Sequence, residues 1–146
     1  MSANTIEWIK RVVEGIDEQT DEATCAKILE RCGRDCTPES LIEKARRIYR
    51  KRKDVGAFLA EFSEVFEAIQ VEDDAIYVVY PRCFCEQIAG VAPEEVPDAY
   101  CNCSRGWIME LFERATGQRV EVMPLETIVR GDDRCRFSVR FLKEMR

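Results

Sequence analysis

Apolar residues recur at helical spacing through the first half of the chain, which predicts a series of amphipathic helices. The first helix carries one apolar face over residues 6–16. The second runs from about Asp21 to Cys32, where Gly33 is expected to act as its C-terminal stop. Neither helix is polar all round, so both are expected to pack against other elements.

Two further helices follow before residue 70. The third is predicted to begin with Thr37 as its cap and Pro38 in its first turn, because proline is tolerated where the first backbone N–H groups have no partner. Asp54 is expected to cap the fourth, whose apolar stripe continues to Ile69. The first half of the chain is therefore predicted to be helical.

The period of the apolar pattern changes after residue 70. Residues 75–80, AIYVVY, form a short β-branched and aromatic run that predicts a buried strand. An amphipathic helix is predicted from about residue 104 to 116. The remaining sequence indicates a β-hairpin that turns at Gly131 and Asp132, and Pro124 places its first strand at an edge or a bulge. Its second strand alternates, with Cys135, Phe137, Val139 and Phe141 expected on one face and the polar residues between them on the other.

Together these elements predict an α+β fold. About four N-terminal helices pack on a small antiparallel sheet, and a late helix precedes the C-terminal hairpin. The 146 residues fit a single domain over 1–146, with a helical part at 1–70 and a strand, loop, helix and hairpin part at 71–146.

Charge and composition narrow the function classes. The formal net charge of −6 argues against a nucleic-acid binder, which needs a basic surface. The N-terminal residues carry charges throughout, so neither a signal peptide nor a membrane span is expected, and a reducing cytoplasm is the predicted location. In that compartment eight cysteines indicate metal or thiol chemistry before they indicate disulfides.

Five cysteines in the second half suggest a metal site. Cys83/Cys85 and Cys101/Cys103 are Cys-x-Cys pairs, and residues two apart in an extended segment point to the same side, so both sulfurs of a pair could reach one metal. Cys135 lies at the start of the last predicted strand. The positive end of the late helix is expected to favour the thiolate at Cys103, the form that binds metal or acts as a nucleophile.

A histidine-free set of thiolates suits zinc, with an iron–sulfur cluster as the less supported choice because ferredoxin spacings are absent. The alternative is that the cysteines pack as small hydrophobes, the expected role of Cys25 within an apolar helical stripe. Cys32 and Cys36 flank a predicted helix end, where they fit packing and thiol chemistry about equally and form a possible additional thiol pair.

The last third of the chain resembles the 4-vinyl reductase domain family. The resemblance covers residues 71–142 and rests on a cysteine before a Gly-aromatic pair, a V-x-V strand and a G-D-x-x-C-x-F-x-V element; the matching residues are Cys101, Gly106, Trp107, Val120, Val122, Gly131, Asp132, Cys135, Phe137 and Val139. It implies a small-molecule-binding domain related in fold to phenol-sensing domains and to vesicle-tethering subunits.

The resemblance also implies metal ligands at Cys101 and Cys135. The family's other two ligands fall at Pro124 and Thr127, neither of which can serve. Cys103, Cys83 and Cys85 are therefore predicted to complete a four-thiolate site in their place; this replacement is inferred from the residues and does not come from the family pattern.

Three functional hypotheses follow from the sequence. The first is a non-enzymatic domain that binds a small apolar molecule and carries a cysteine-ligated structural zinc; the candidate cavity residues are Tyr77, Tyr80, Trp107 and Phe112. The second is a cysteine-thiolate enzyme or redox protein, hydrolase-like or a thiol switch, that uses Cys103 with Cys101 as resolving partner. The third is an interaction module. In the third, helices one to four present a dimer face and the thiols only pack. The expected partners are a small apolar molecule and either a second copy of the chain or a separate output protein.

Overall fold

The computed structural model describes residues 3–80 and 97–144. The helices are α1 (Ala3–Gln19), α2 (Glu22–Cys36), α3 (Glu39–Arg52), α4 (Val55–Phe62) and α5 (Cys101–Thr116). The strands are β1 (Ile69–Glu72), β2 (Ala75–Tyr80), β3 (Gln118–Glu126) and β4 (Cys135–Glu144). The predicted α+β class, with helices first and a hairpin last, is confirmed.

The four strands form one antiparallel sheet in the order β1-β2-β4-β3. The predicted strand at residues 75–80 matches β2, whereas β1 was not predicted because its first residue, Ile69, continues the apolar spacing of α4. Pro124 lies on β3, which is an edge strand as the missing N–H of proline requires, and the pairing with β4 is irregular between Pro124 and Glu126.

Side chains from one face of the sheet form the main core with α3, α4 and α5. On β4 the predicted alternation is confirmed: Cys135, Phe137 and Val139 are buried, and the residues between them are not. Against them lie Phe58 and Phe62 of α4 and the buried face of α5. The core thus holds α5 between the sheet and the other helices.

The turn between β3 and β4 is fixed by one side chain. Asp132 Oδ2 accepts a hydrogen bond from the backbone N–H of Thr127 at 2.8 Å, and the backbone N–H of Asp132 donates to the Thr127 carbonyl at 3.1 Å. Gly131 takes a left-handed conformation, φ 100°, which a glycine adopts at no steric cost. The Gly-Asp element of the sequence is therefore a turn motif in this chain.

Asp54 caps α4 as predicted, with its carboxylate accepting from the Ala57 N–H at 2.9 Å. The end of α2 and the start of α3 differ from those predicted. α2 continues through Gly33 to Cys36, so the glycine is inside the helix and does not end it. Thr37 does not cap α3, which has Pro38 at its N-cap position. The Thr37 hydroxyl instead lies within hydrogen-bond distance of two backbone carbonyls, that of Gly33 at 3.3 Å and that of Trp107 at 3.1 Å.

Gly33 is inside α2 because it lies against the backbone of α5. A Cβ atom at Gly33 would lie 1.8 Å from the carbonyl oxygen of Cys103, and a Cβ at Gly106 would lie 2.0 Å from the carbonyl oxygen of Glu30. The two helices therefore cross with their backbones in direct contact. We call this contact the glycine crossing; it brings the first turn of α5 against the last turns of α2.

α1 packs on a second, smaller cluster formed by Val13, Cys25, Leu29, Tyr100, Cys101 and Val129. Among the described side chains of α1, only Val13 is buried. Trp8 is 66% exposed, and Val12, predicted on the apolar face, is 39% exposed. In the described ranges, no helix combines the length and apolar character needed to cross a membrane.

Candidate functional site: a thiol cluster at the glycine crossing

The first turn of α5 separates the second Cys-x-Cys pair. The sequence analysis treated Cys101 and Cys103 as an extended pair before a helix, but α5 begins at Cys101 and contains both residues. Residues two apart on a helix do not face each other. Cys101 enters the smaller cluster beside Val13, whereas Cys103 lies against α2. The extended geometry that was expected to bring these two sulfurs to one side is therefore absent, and a metal shared by Cys101 and Cys103 stays a prediction.

Cys103 instead lies among cysteines from the first half of the chain. Its carbonyl touches Gly33, and Cys32 and Cys36 lie one residue before and three residues after that glycine on the same helix. Cys32 and Cys36 are exposed and Cys103 is half-buried. We call Cys32, Cys36 and Cys103 the thiol trio. The sequence predicted Cys32 and Cys36 as a separate pair, because the spacing of cysteines along the chain does not show which helices cross.

The electrostatics of the trio oppose the expected thiolate. Burial, followed by the charges of Cys36 and Cys32, raises the pKa of Cys103 to about 12. The helix N-terminus was expected to lower it. Desolvation of a half-buried thiol between two other thiols outweighs the helix dipole, so Cys103 is a protonated thiol at neutral pH. The use of Cys103 as a nucleophile stays a prediction.

This environment predicts an order of thiol reactivity. In native protein at pH 8, we expect iodoacetamide to alkylate Cys32 and Cys36 first and Cys103 at least about 10-fold more slowly, because the thiolate is the reacting form. Time-resolved peptide mass spectrometry would measure the three rates. In urea, where burial is lost, the three rates should converge; a Cys103 rate that matches Cys36 in the native protein would contradict the environment described.

The other cysteines of the proposed metal set lie apart. Cys135 lies in the main core, where its sulfur accepts a hydrogen bond from the Ile128 N–H at 3.5 Å. Cys25 is buried in the smaller cluster, as its apolar stripe predicted. None of the six cysteines in the described ranges is in a disulfide. Within those same ranges, no three cysteine, aspartate or glutamate side chains are arranged to hold a metal ion.

Cys83 and Cys85 lie outside the described residues. The described members of the set, Cys101, Cys103 and Cys135, do not by themselves fit a tetrahedral thiolate site. Zinc coordination that includes Cys83 and Cys85, and the alternative iron–sulfur cluster, stay predictions.

Of the four aromatic residues proposed for a ligand cavity, Phe112, Tyr80 and Trp107 belong to the main core or pack against it. Phe112 fills the main core at 0% exposure, and Tyr80 packs edge-on against Phe137. Tyr77 lies on the other face of the sheet, where the guanidinium of Arg136 is 3.9 Å from the centre of its ring. Trp107 alone lies at the glycine crossing.

Trp107 gives the thiol trio an apolar neighbour. Its backbone carbonyl accepts from Thr37, the residue after Cys36, and its backbone N–H group is next to Gly33. Its ring is half-buried and lies 5.8 Å from that of Phe66. The trio therefore lies beside a partly open aromatic surface.

An ion-pair network also joins α2 to α5 at the crossing. Arg34 Nη1 contacts Glu110 Oε1 at 3.1 Å and Glu113 Oε1 at 2.9 Å, and Arg105 Nη2 contacts Glu30 Oε1 at 3.0 Å. Burial alone would lower the pKa of Arg34, but the hydrogen bonds and charges of Glu113, Glu110 and Glu30 raise it. Glu113 Oε2 also accepts from the Val120 N–H at 3.1 Å, which ties the network to β3.

The fold has a counterpart among solved structures. It is similar to that of a trafficking protein particle complex subunit 3 from Naegleria fowleri, whose crystal structure shows it covalently bound to palmitic acid. The TM-score is 0.56 with 14% sequence identity, over 99% of this chain and 99% of that chain. This likeness establishes a shared fold.

No curated protein matches this chain by sequence. The resemblance to the 4-vinyl reductase domain family is tested by neither result and stays a prediction. A family model does match, over residues 1–145. The chain therefore belongs to the family of unknown function DUF6144.

Proposed function

We propose that this protein is a non-enzymatic domain that binds an apolar small molecule of the long-chain acyl class at the thiol trio. The observation that carries the proposal is the close approach of the Cys103 backbone to Gly33, which lies between Cys32 and Cys36 on α2, next to Trp107, whose half-buried ring is 5.8 Å from that of Phe66. An acyl chain needs an apolar surface, and a thiol is the group that holds such a chain as a thioester. The solved structure of similar fold, which carries palmitic acid covalently, supports the same ligand class.

Cys36 is the attachment point in this proposal. It is exposed at the last residue of α2, whereas Cys103 is half-buried and its pKa is raised to about 12. The thiolate of Cys36 would attack the carbonyl carbon of an acyl thioester, forming the new thioester and releasing the donor's thiol. Cys32 and Cys103 remain thiols.

The test is acyl transfer from palmitoyl-coenzyme A to the full chain, followed by intact-mass spectrometry. We expect a gain of one palmitoyl group, which neutral hydroxylamine removes and which peptide mapping places on Cys36. Cys36→Ser should abolish the gain. Cys32→Ser is the matched control, because Cys32 is equally exposed on the same helix and should leave loading intact.

Acetyl-coenzyme A separates apolar binding from simple thiol reactivity. It offers the same thioester without the apolar chain, so it should load the protein at least about 10-fold more slowly if chain burial contributes two or more methylene transfers of about 0.8 kcal/mol each. Equal loading by the two donors, or loading on Cys32 as readily as on Cys36, would contradict the proposal.

A protein partner, either a second copy or a separate output protein, stays a prediction from the sequence. The solved structure of similar fold is a subunit of a complex, which supports a protein partner in general. Trp8 and Val12, four residues apart on α1, are exposed apolar residues.

A further inference from the structure

Two of the three thiols are placed to join across the glycine crossing. Gly33 and Cys103 are in backbone contact, so every residue within one turn of Gly33 on the facing side of α2 lies close to the first turn of α5. Cys36 follows Gly33 by three residues and therefore lies on the same face of the helix. Cys32 precedes Gly33 by one residue and is rotated away from the contact.

The neighbour of Cys36 confirms that this end of α2 is held against α5. Thr37 donates to the Trp107 carbonyl at 3.1 Å, and Trp107 lies one helical turn after Cys103. The order of the charge effects agrees, because Cys36 raises the pKa of Cys103 more than Cys32 does.

A disulfide between Cys32 and Cys36 is excluded by helix geometry. Cys32 and Cys36 are four residues apart on one helix, where Cβ atoms lie about 5–6 Å apart. A disulfide requires Cβ atoms about 3.5–4.5 Å apart. A bond within α2 would therefore need the helix to unwind.

We propose that Cys36 and Cys103 form a reversible disulfide that locks α2 to α5, with a low-molecular-weight disulfide as the oxidant. The Cys36 thiolate attacks one sulfur of glutathione disulfide, which leaves a mixed disulfide on Cys36 and releases one glutathione. The Cys103 thiol then gives up its proton to water, and the thiolate so formed attacks the Cys36 sulfur and releases the second glutathione as a thiolate, which takes up a proton; this second exchange is the slow step. The protein loses two electrons and two protons, and both appear in the two glutathione thiols. This inference does not depend on the proposed acyl ligand.

Both thiols have the properties that this sequence of steps needs. The exposed Cys36 is more accessible to a dissolved disulfide than the half-buried Cys103 is. The mixed disulfide on Cys36 therefore has an intramolecular thiol beside it.

The experiment treats the full chain with glutathione disulfide, without acyl donor, and identifies cross-linked peptides by mass spectrometry under non-reducing conditions. We expect a monomer lighter by two hydrogens, a linked peptide pair containing Cys36 and Cys103, and full reversal by dithiothreitol. Because the bond closes a long loop, the unfolding midpoint should rise by roughly 5–10 °C on oxidation.

Single cysteine variants test which two thiols form the disulfide. Cys103→Ser should stop at the mixed disulfide with one glutathione on Cys36, and Cys36→Ser should prevent the linked pair. Cys32→Ser and Cys25→Ser are controls that should still form it, since Cys25 lies in the smaller cluster. A linked pair that contains Cys32, a disulfide between two chains, or a wild-type protein that stops at the mixed disulfide would each overturn the proposal.

Failure of this experiment and failure of the proposed function can be told apart. Acyl loading is measured under reducing conditions and needs only Cys36, whereas the disulfide needs both Cys36 and Cys103. A wild-type chain that takes up palmitoyl under reducing conditions but forms no bond between Cys36 and Cys103 would overturn the disulfide alone, and the reverse pair of results would overturn the acyl proposal alone.

Discussion

Gly33→Ala is expected to destabilise the protein by about 3–5 kcal/mol, although alanine is the better helix former by about 1 kcal/mol. The added Cβ would lie 1.8 Å from the carbonyl oxygen of Cys103. The position of a Cβ is fixed by its own backbone and the oxygen is a backbone atom, so no change of rotamer can separate them. α2 and α5 must separate, and core contacts on both sides of the crossing are lost. Urea unfolding followed by circular dichroism would measure the loss as a lower midpoint.

Gly106→Ala should act in the same way, because its Cβ would lie 2.0 Å from the Glu30 carbonyl oxygen. The double variant should cost less than the sum of the two single variants, since helices already moved apart accommodate the second methyl group. Gly15→Ala in α1 is the matched control. Its Cβ would meet nothing within 4 Å, so it should be neutral or stabilising by up to about 1 kcal/mol. Equal effects at Gly15 and Gly33 would contradict the backbone contact.

Arg34→Met should lower the free energy of unfolding by about 2–3 kcal/mol. Methionine keeps most of the apolar stem but removes the charge, so three carboxylates, Glu30, Glu110 and Glu113, lose their shared partner. The side chains of Arg34 and Glu113 are only 26% and 13% exposed, so water replaces that partner poorly. The midpoint of urea unfolding should fall with an unchanged slope.

The control for this variant is Arg140→Met on the outer face of the sheet. Arg140 contacts Glu121 at 3.0 Å, a distance close to that between Arg34 and Glu113, but these side chains are 68% and 47% exposed. An ion pair in that setting contributes about 0–1 kcal/mol. If both variants lost the same stability, the partly buried network would contribute no more than an exposed pair.

The local patterns in the sequence predicted the fold because each reports a local physical preference. Alternation along residues 135–141 predicted a half-buried strand, and Asp54 predicted a helix start, because neither depends on distant parts of the chain. Gly33 shows the limit of this reasoning. A glycine near the end of an apolar stripe usually ends a helix. Only the position of α5, 70 residues later, shows that Gly33 instead lets the backbones of the two helices touch.

The candidate site was less predictable than the fold for the same reason. The predicted pairing of Cys101 with Cys103 assumed an extended backbone. α5 begins three residues earlier than predicted, so the two sulfurs lie in different surroundings. Cys32, Cys36 and Cys103 were all recognised as candidates for thiol chemistry. Their meeting depends on a crossing between distant helices, which spacing along the chain does not encode.

The division of the apolar side chains into two clusters gives the molecule uneven resistance to local opening. α1 is held through the smaller cluster, whereas α5 is enclosed by the main core and the sheet. Detaching α1 uncovers the smaller cluster but leaves the main core closed, so this opening requires less free energy than unfolding the whole domain. The two faces of α2 therefore experience different fluctuations: the side toward α1 is uncovered transiently, while the glycine crossing persists until global unfolding.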